Sequence, residues 1–175
     1  MEKDILKTIF TADNKRNAGG GYVLEFLHTL RKCHYCTNKY ARIYYRWRLK
    51  RYRLCYGLEI PWETEIGPGL YLGHAFNITI NKDAIIGANC NIHKGVVIGR
   101  QNRGKKKGCP IIGNNVWIGI NAAIVGKIYI GDDVLIAPNS YVNCDVPPHS
   151  IVFGNPCVIK PCKDATKEYI NIIVE

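Results

Sequence analysis

Five histidines are this chain's candidates for moving protons near neutral pH: His28, His34, His74, His93 and His149. Imidazole is the side chain whose ordinary pKa lets it take a proton from a hydroxyl at pH 7 and give it back. His28 and His34 fall in a stretch with helical spacing, and His149 sits in a Pro-Pro-His turn, where it reads as structural or as the wall of a groove. His74 and His93 differ, because each follows an aliphatic residue of one repeating pattern, Leu72 by two positions and Ile92 by one. If Leu72 stacks beneath Ile92, the two imidazoles lie on neighbouring turns of chain. At least one of them is expected to be a general base. His74 is favoured, because the pattern slips by two residues beside it and a bulge can re-aim a side chain; His93 is the second choice. The plainer reading of either is a turn histidine bonded to a carbonyl.

The pattern that must position them has a period of six. Ile112, Ile118, Ile124, Ile130, Ile136 and Val142 recur at that interval, and Val116, Ala122, Ile128, Val134, Ser140 and Val146 follow each by four. The beat begins earlier with Ile66, Leu72, Ile80, Ile86, Ile92 and Ile98. Six fits neither the helical period nor simple strand alternation. Each unit reads as a short strand and a turn that cannot bury its own apolar side chain, so successive coils must stack and share one core. The fold class expected is mainly β, a parallel β-helix with coils about 4.8 Å apart. The step from Ile98 to Ile112 is fourteen residues, which predicts a protruding loop at Gln101–Gly108 with both histidines near its base.

Helical spacing precedes the repeats. Ile5, Leu6, Ile9 and Phe10 form one apolar face, Asn17–Gly21 breaks it, and Val23, Phe26, Leu27 and Leu30 form another. The helix is expected to continue through the basic stretch to Arg53 and to end at Glu59-Ile60-Pro61-Trp62. The organisation is therefore residues 1–58 helical, 59–162 β-helix with a protruding loop at 99–111, and 163–175 a tail, either a terminal helix or a loose end.

Composition narrows the classes. With 47% hydrophobic residues the chain can build a core, and no apolar run approaches the roughly 20 residues of a membrane span. The charged start, MEKDILKTIF, does not read as a secretory signal, so a cytoplasmic location is expected. Cys33-His34-Tyr35-Cys36 lacks a second ligand pair, the other cysteines have no common spacing, and no metal is expected. Of the formal charge of +10, much sits between Arg31 and Arg53, where nine Lys or Arg occur with no acidic residue. The bland reading is a solvated basic helix face. The functional one is peripheral contact with anionic lipid through residues 31–53, and nucleic acid is not expected, since no nucleic-acid motif appears.

The segments GLYLGHAFNITIN (Gly69–Asn81), NIHKGVVIG (Asn91–Gly99) and VPPHSIVFGNP (Val146–Pro156) resemble the hexapeptide-repeat left-handed β-helix acyltransferases. The similarity is greatest to the serine acetyltransferases and to the sugar O-acetyltransferases of capsule and lipopolysaccharide clusters. The resemblance implies a left-handed helix with three hexads per coil, a homotrimer, acetyl-CoA in a groove between neighbouring β-helices, and direct transfer to an acceptor hydroxyl with a histidine as base. It places pantetheine near Gly119, Ala137 and Asn139 and the adenine end near Asn155, Pro156 and Lys160. Arg103, Lys105, Lys106 and Lys107 could meet the phosphates of CoA or an anionic acceptor, or simply be solvated. Two positions depart from the serine acetyltransferases: Cys109 stands where they carry a loop histidine, and Gly73 where they carry an aspartate before the histidine. The departures favour a sugar hydroxyl of a surface polysaccharide or its precursor as acceptor, with serine as the alternative and a non-catalytic trimeric scaffold as the second alternative.

Overall fold

The computed structural model describes residues 2–174. Three helices, α1 (Glu2–Arg16), α2 (Gly21–His34) and α3 (Lys39–Tyr56), precede a left-handed β-helix whose coils each have three short strands. The first face stacks Leu58–Glu59, Ile78–Ile80, Val97–Gly99, Ala123–Val125 and Tyr141–Val142. The second stacks Glu65–Ile66, Ile85–Ile86, Ile111–Ile112 and Tyr129–Ile130. The third stacks Tyr71–Gly73, Asn91–His93, Trp117–Ile118, Val134–Ile136 and Ser150–Phe153, and Val158–Pro161 closes it by pairing antiparallel with the last of these.

The hexads account for this shape. Ile80, Ile86, Ile92, Ile98, Ile112, Ile118, Ile124, Ile130, Ile136 and Val142 are all at most 2% exposed and point into the shared core, while Ile66 at the start is partly buried against it. The corners turn on residues that tolerate a left-handed backbone, among them Asn89 (φ 57°), Asn115 (54°), Asn121 (59°) and Asn139 (58°). Leu72 pairs with Ile92 as the spacing requires, and the two extra residues before Ile80 are absorbed at the corner after Gly73.

The helices close the open end of the first coil. Phe26, Leu27 and Leu30 of α2 are at most 2% exposed and join the core that contains Leu58, Leu70 and Leu72. The helix expected to run unbroken to Arg53 is interrupted after His34. Asn38 caps a new helix, its side-chain oxygen accepting from the N–H groups of Tyr40 (2.9 Å) and Ala41 (3.1 Å), and Gly57, at φ 65°, ends that helix before Glu59. The tail is neither a helix nor a loose end. Asp133 accepts from the N–H of Ala165 (3.0 Å) and Thr166 (2.9 Å) and from the Thr166 hydroxyl (2.6 Å), while Asn89 exchanges two hydrogen bonds with Val174. Residues 163–174 are thereby strapped back along the β-helix.

One buried ion pair ties helix to coil. Asp13, fully buried, meets Arg31 at 2.9 Å and accepts from the N–H of Gly69 (2.9 Å) and Leu70 (3.1 Å); Arg31 also donates to the carbonyls of Ile66 and Gly67. Removing one partner strands the other charge and two amides in a dry site. Asp13→Ala should therefore cost about 3–5 kcal/mol in a urea titration followed by circular dichroism; a loss below about 1 kcal/mol would show that the ion pair does not hold the helices to the coil.

Candidate active site

The corner where the third face passes to the first collects the histidines. His74 stands at this corner on the first coil, exposed, with a left-handed backbone (φ 50°) that a bulge of two extra residues permits. His93 ends the strand above, paired in register with Gly73. Its ring is half-buried, 4.8 Å from the ring of Trp117 and 6.3 Å from that of Tyr71, and Trp117 is in turn edge-on to Tyr169 of the strapped tail at 5.0 Å. The Nε2 of His93 is enclosed and has no hydrogen-bond partner among the described residues. A cavity of about 280 Å³ opens beside it, lined by Arg16, Tyr71, Asn91, Trp117 and Tyr169.

Gly73 explains how the ring fits. A Cβ at this position would lie 2.3 Å from His93 Nδ1 and 2.4 Å from Cε1, closer than any side chain can approach. Glycine here is the space that the imidazole occupies. The aspartate that the resembled family carries at this position is thus incompatible with His93 as placed. A side chain at position 73 and the His93 ring in this position exclude one another.

Electrostatics separate the two imidazoles. Burial disfavours the cation of His93, and the neighbouring His74 lowers its pKa further, so His93 is neutral at pH 7. Cys109, in the loop position where relatives carry histidine, is no replacement base: its thiol is buried, donates to Asn81 Oδ1 at 3.3 Å and has a raised pKa because of burial.

The predicted CoA residues lie along the same corner. Gly119, Ala137 and Asn139 occupy it on successive coils, and Asn155 and Pro156, joined by a cis peptide bond, stand at its far end. The corner runs over three coil steps from His93, about 14 Å at ordinary strand spacing. The backbone N–H groups at these positions are already used within the coil: Gly119 donates to Ile136 (2.8 Å), Ala137 to Val152 (2.8 Å) and Asn139 to Ile120 (2.9 Å). What remains for a ligand is carbonyl lone pairs and the exposed Asn139 and Asn155 side chains. Lys160 lies on the closing strand, over the Phe153 ring at 5.4 Å.

The basic loop leaves from a different corner, one strand past His93, between the first and second faces. It is a small hairpin closed by two hydrogen bonds between Gln101 and Gly108, both 3.0 Å. Arg103 and Lys105 are exposed, whereas Lys106 is half-buried and donates to the Asn143 carbonyl. Within one chain, then, the loop cations and the histidines are not brought together. His149 is held by Asp133 at 2.8 Å, and His28 by Asn14 at 2.7 Å, both as structural contacts. Sequence reasoning missed Arg16, Tyr71 and Trp117 beside His93; the 18-residue coil step could have placed Trp117 above Asn91 once the loop was removed.

Residues 109–144 match the family model for the bacterial transferase hexapeptide, six repeats. The serine acetyltransferase of Synechococcus elongatus is 36% identical over 59% of this chain and 43% of its own length. That of Buchnera aphidicola is 31% identical over 93% of this chain and 66% of its own length. The soybean serine acetyltransferase apoenzyme superposes with a TM-score of 0.77 at 25% identity, covering 90% of this chain and 69% of the soybean chain. The chain spans about two- to three-fifths of the length of the first curated relatives it matches. These relatives overturn the expectation of a polysaccharide sugar as acceptor. That expectation rested on two departures, Cys109 in place of a loop histidine and Gly73 in place of an aspartate; at the second, the ring of His93 fills the space above the glycine.

The burial and packing of His93 have measurable consequences. Its imidazole should titrate below 6.5 by NMR, and His74→Ala should move that midpoint upward, because a like charge is removed. The unfolded chain binds this proton more readily than the folded one. The neutral-ring contribution to stability is therefore complete above about pH 6.5 and is lost as pH falls through the folded pKa. Gly73→Ala should displace the ring and shift its resonances; an unchanged His93 spectrum would refute the packing argument.

Proposed function

We propose that this chain, a β-helix protein of the hexapeptide-repeat acyltransferase class, transfers the acetyl group of acetyl-CoA to the hydroxyl of serine. The observation that carries the reading is the paired histidine corner: an exposed His74 beside a neutral, half-buried His93, at one end of an edge long enough for an extended cosubstrate. Support for serine comes from the relatives, which are serine acetyltransferases.

In this mechanism His74 is the general base and His93 the positioning residue. The imidazole of His74 takes the proton from the serine hydroxyl as its oxygen attacks the thioester carbonyl carbon. The tetrahedral intermediate collapses by breaking the carbon–sulfur bond, and the departing thiolate recovers the proton from the imidazolium. His93, neutral and wedged between Tyr71 and Trp117, keeps a second positive charge away from His74 as that proton arrives.

Thiol release from acetyl-CoA in the presence of L-serine tests the proposal. His74→Ala should lower kcat by about 10²–10⁴-fold, the range of general-base catalysis, while acetyl-CoA binding by calorimetry stays unchanged. No turnover with serine would overturn the acceptor, and a His74→Ala enzyme at normal rate would overturn the base.

We also infer a homotrimer. The second face turns a column of apolar side chains outward, Ile85, Ile111 and Tyr129, paired in register and 38–49% exposed. A neighbouring copy would remove this surface from water. Ile111→Glu should convert the trimer seen by sedimentation equilibrium to monomer; a wild-type protein that sediments as a monomer would overturn the inference.

A further inference from the structure

We propose that the outward side of α3 lies on an anionic phospholipid surface. Only one side of this helix is committed to the fold. Tyr52 is 9% exposed, edge-on to Phe26 at 5.4 Å, and Leu49 and Tyr56 pack on the same core. The opposite side carries Tyr40, Ile43, Tyr44, Trp47 and Leu54, all between 53% and 80% exposed. Their spacing of three, four, seven and fourteen residues from Tyr40 puts them in one stripe along the helix. Isolated exposed apolar residues need no explanation, but five on one side of a helix, four of them clustered between Tyr40 and Trp47 and the fifth beyond Lys50 and Arg51, mark a contact surface.

The charges around the stripe identify the partner. α3 contains Lys39, Arg42, Arg46, Arg48, Lys50, Arg51 and Arg53 and no acidic residue. Arg46, Lys50 and Arg51 have no ion-pair partner among the described residues, and the pairs that Arg48 and Arg53 make with Glu25 and Glu59 are long, at 3.7 and 3.9 Å. Between α3 and the first coil runs a cleft of about 570 Å³ floored by Leu49, Pro61 and Trp62 and rimmed by Arg46, Lys50 and Arg53. An apolar stripe flanked by long cationic side chains suits an interface where acyl chains lie under phosphates, with the cations reaching up to the headgroups. A second copy of the chain would set seven cations against seven. A nucleic acid would satisfy the cations but leave Ile43 and Leu54 with nothing apolar to meet. No described helix is long and apolar enough to cross a membrane, so the contact lies in the plane of the surface.

The test is co-sedimentation of the full chain with vesicles of phosphatidylglycerol and phosphatidylcholine, against vesicles of phosphatidylcholine alone. Binding should require phosphatidylglycerol and weaken as salt rises. Arg46→Gln with Lys50→Gln should lower the partition coefficient by about 30-fold, roughly fivefold for each cation removed. Trp47→Ser with Leu54→Ser should abolish binding with an unchanged melting curve, since both side chains are solvent-facing. Equal binding to the two vesicle types, no binding to either, or unaltered binding by both double variants would overturn the proposal. So would a labelled oligonucleotide that binds the chain when vesicles do not. The result is independent of the acceptor, because it reads partition and not turnover.

Discussion

Everything at the histidine corner depends on a main-chain ladder that admits one register. Tyr71, Leu72 and Gly73 pair with Asn91, Ile92 and His93, and Asn91 and Ile92 pair with Trp117 and Ile118. Side chains alternate between core and surface along a strand, so a slip of one residue would turn Leu72, Ile92 and Ile118 outward. With those buried, Gly73 must sit under His93, and Trp117 must stand close enough to meet its ring. The site is therefore specified by core packing before any residue in it is chosen for chemistry.

That dependence explains why glycine and histidine cannot be read separately here. A carboxylate and a histidine on adjacent coils need room for both side chains. At this corner the upper ring fills the space over the lower residue, and only glycine leaves it free. The space above Gly73 holds the half-buried imidazole of His93. Burial of His93 and its proximity to His74 act in the same direction, and both disfavour the His93 cation.

The repeat was legible because hexads are a local signal: each beat predicts its own burial, and the core residues obey it across the loop. Less legible were features set by contacts distant in sequence. The break before Asn38 is a capping choice among residues that all tolerate helix. The strapped tail depends on Asp133, Asn91 and Asn89 presenting hydrogen-bond partners along one edge, and nothing in residues 163–174 announces that. The loop was found in sequence and misplaced in space. It follows His93 by only a few residues, yet one strand of a three-faced coil is a full corner, which carries Arg103 and Lys105 away from the imidazoles.

The helical end of the molecule carries both the fastening and the reactive corner. Asp13 and Arg31, both buried, fasten α1 and α2 to the first coil, which leaves α3 able to present one whole side to its surroundings without loosening the core. The first coil also carries His74. The helix face and the reactive corner therefore share one coil, so a surface that holds α3 also holds the histidines at a fixed height above it. Rigid stacking transmits that placement, because a coil of interlocked isoleucines does not bend locally. The inward packing of the hexads and of α2 answers one constraint: apolar side chains must be covered, by the next coil where there is one and by a helix where the first coil would otherwise lie open.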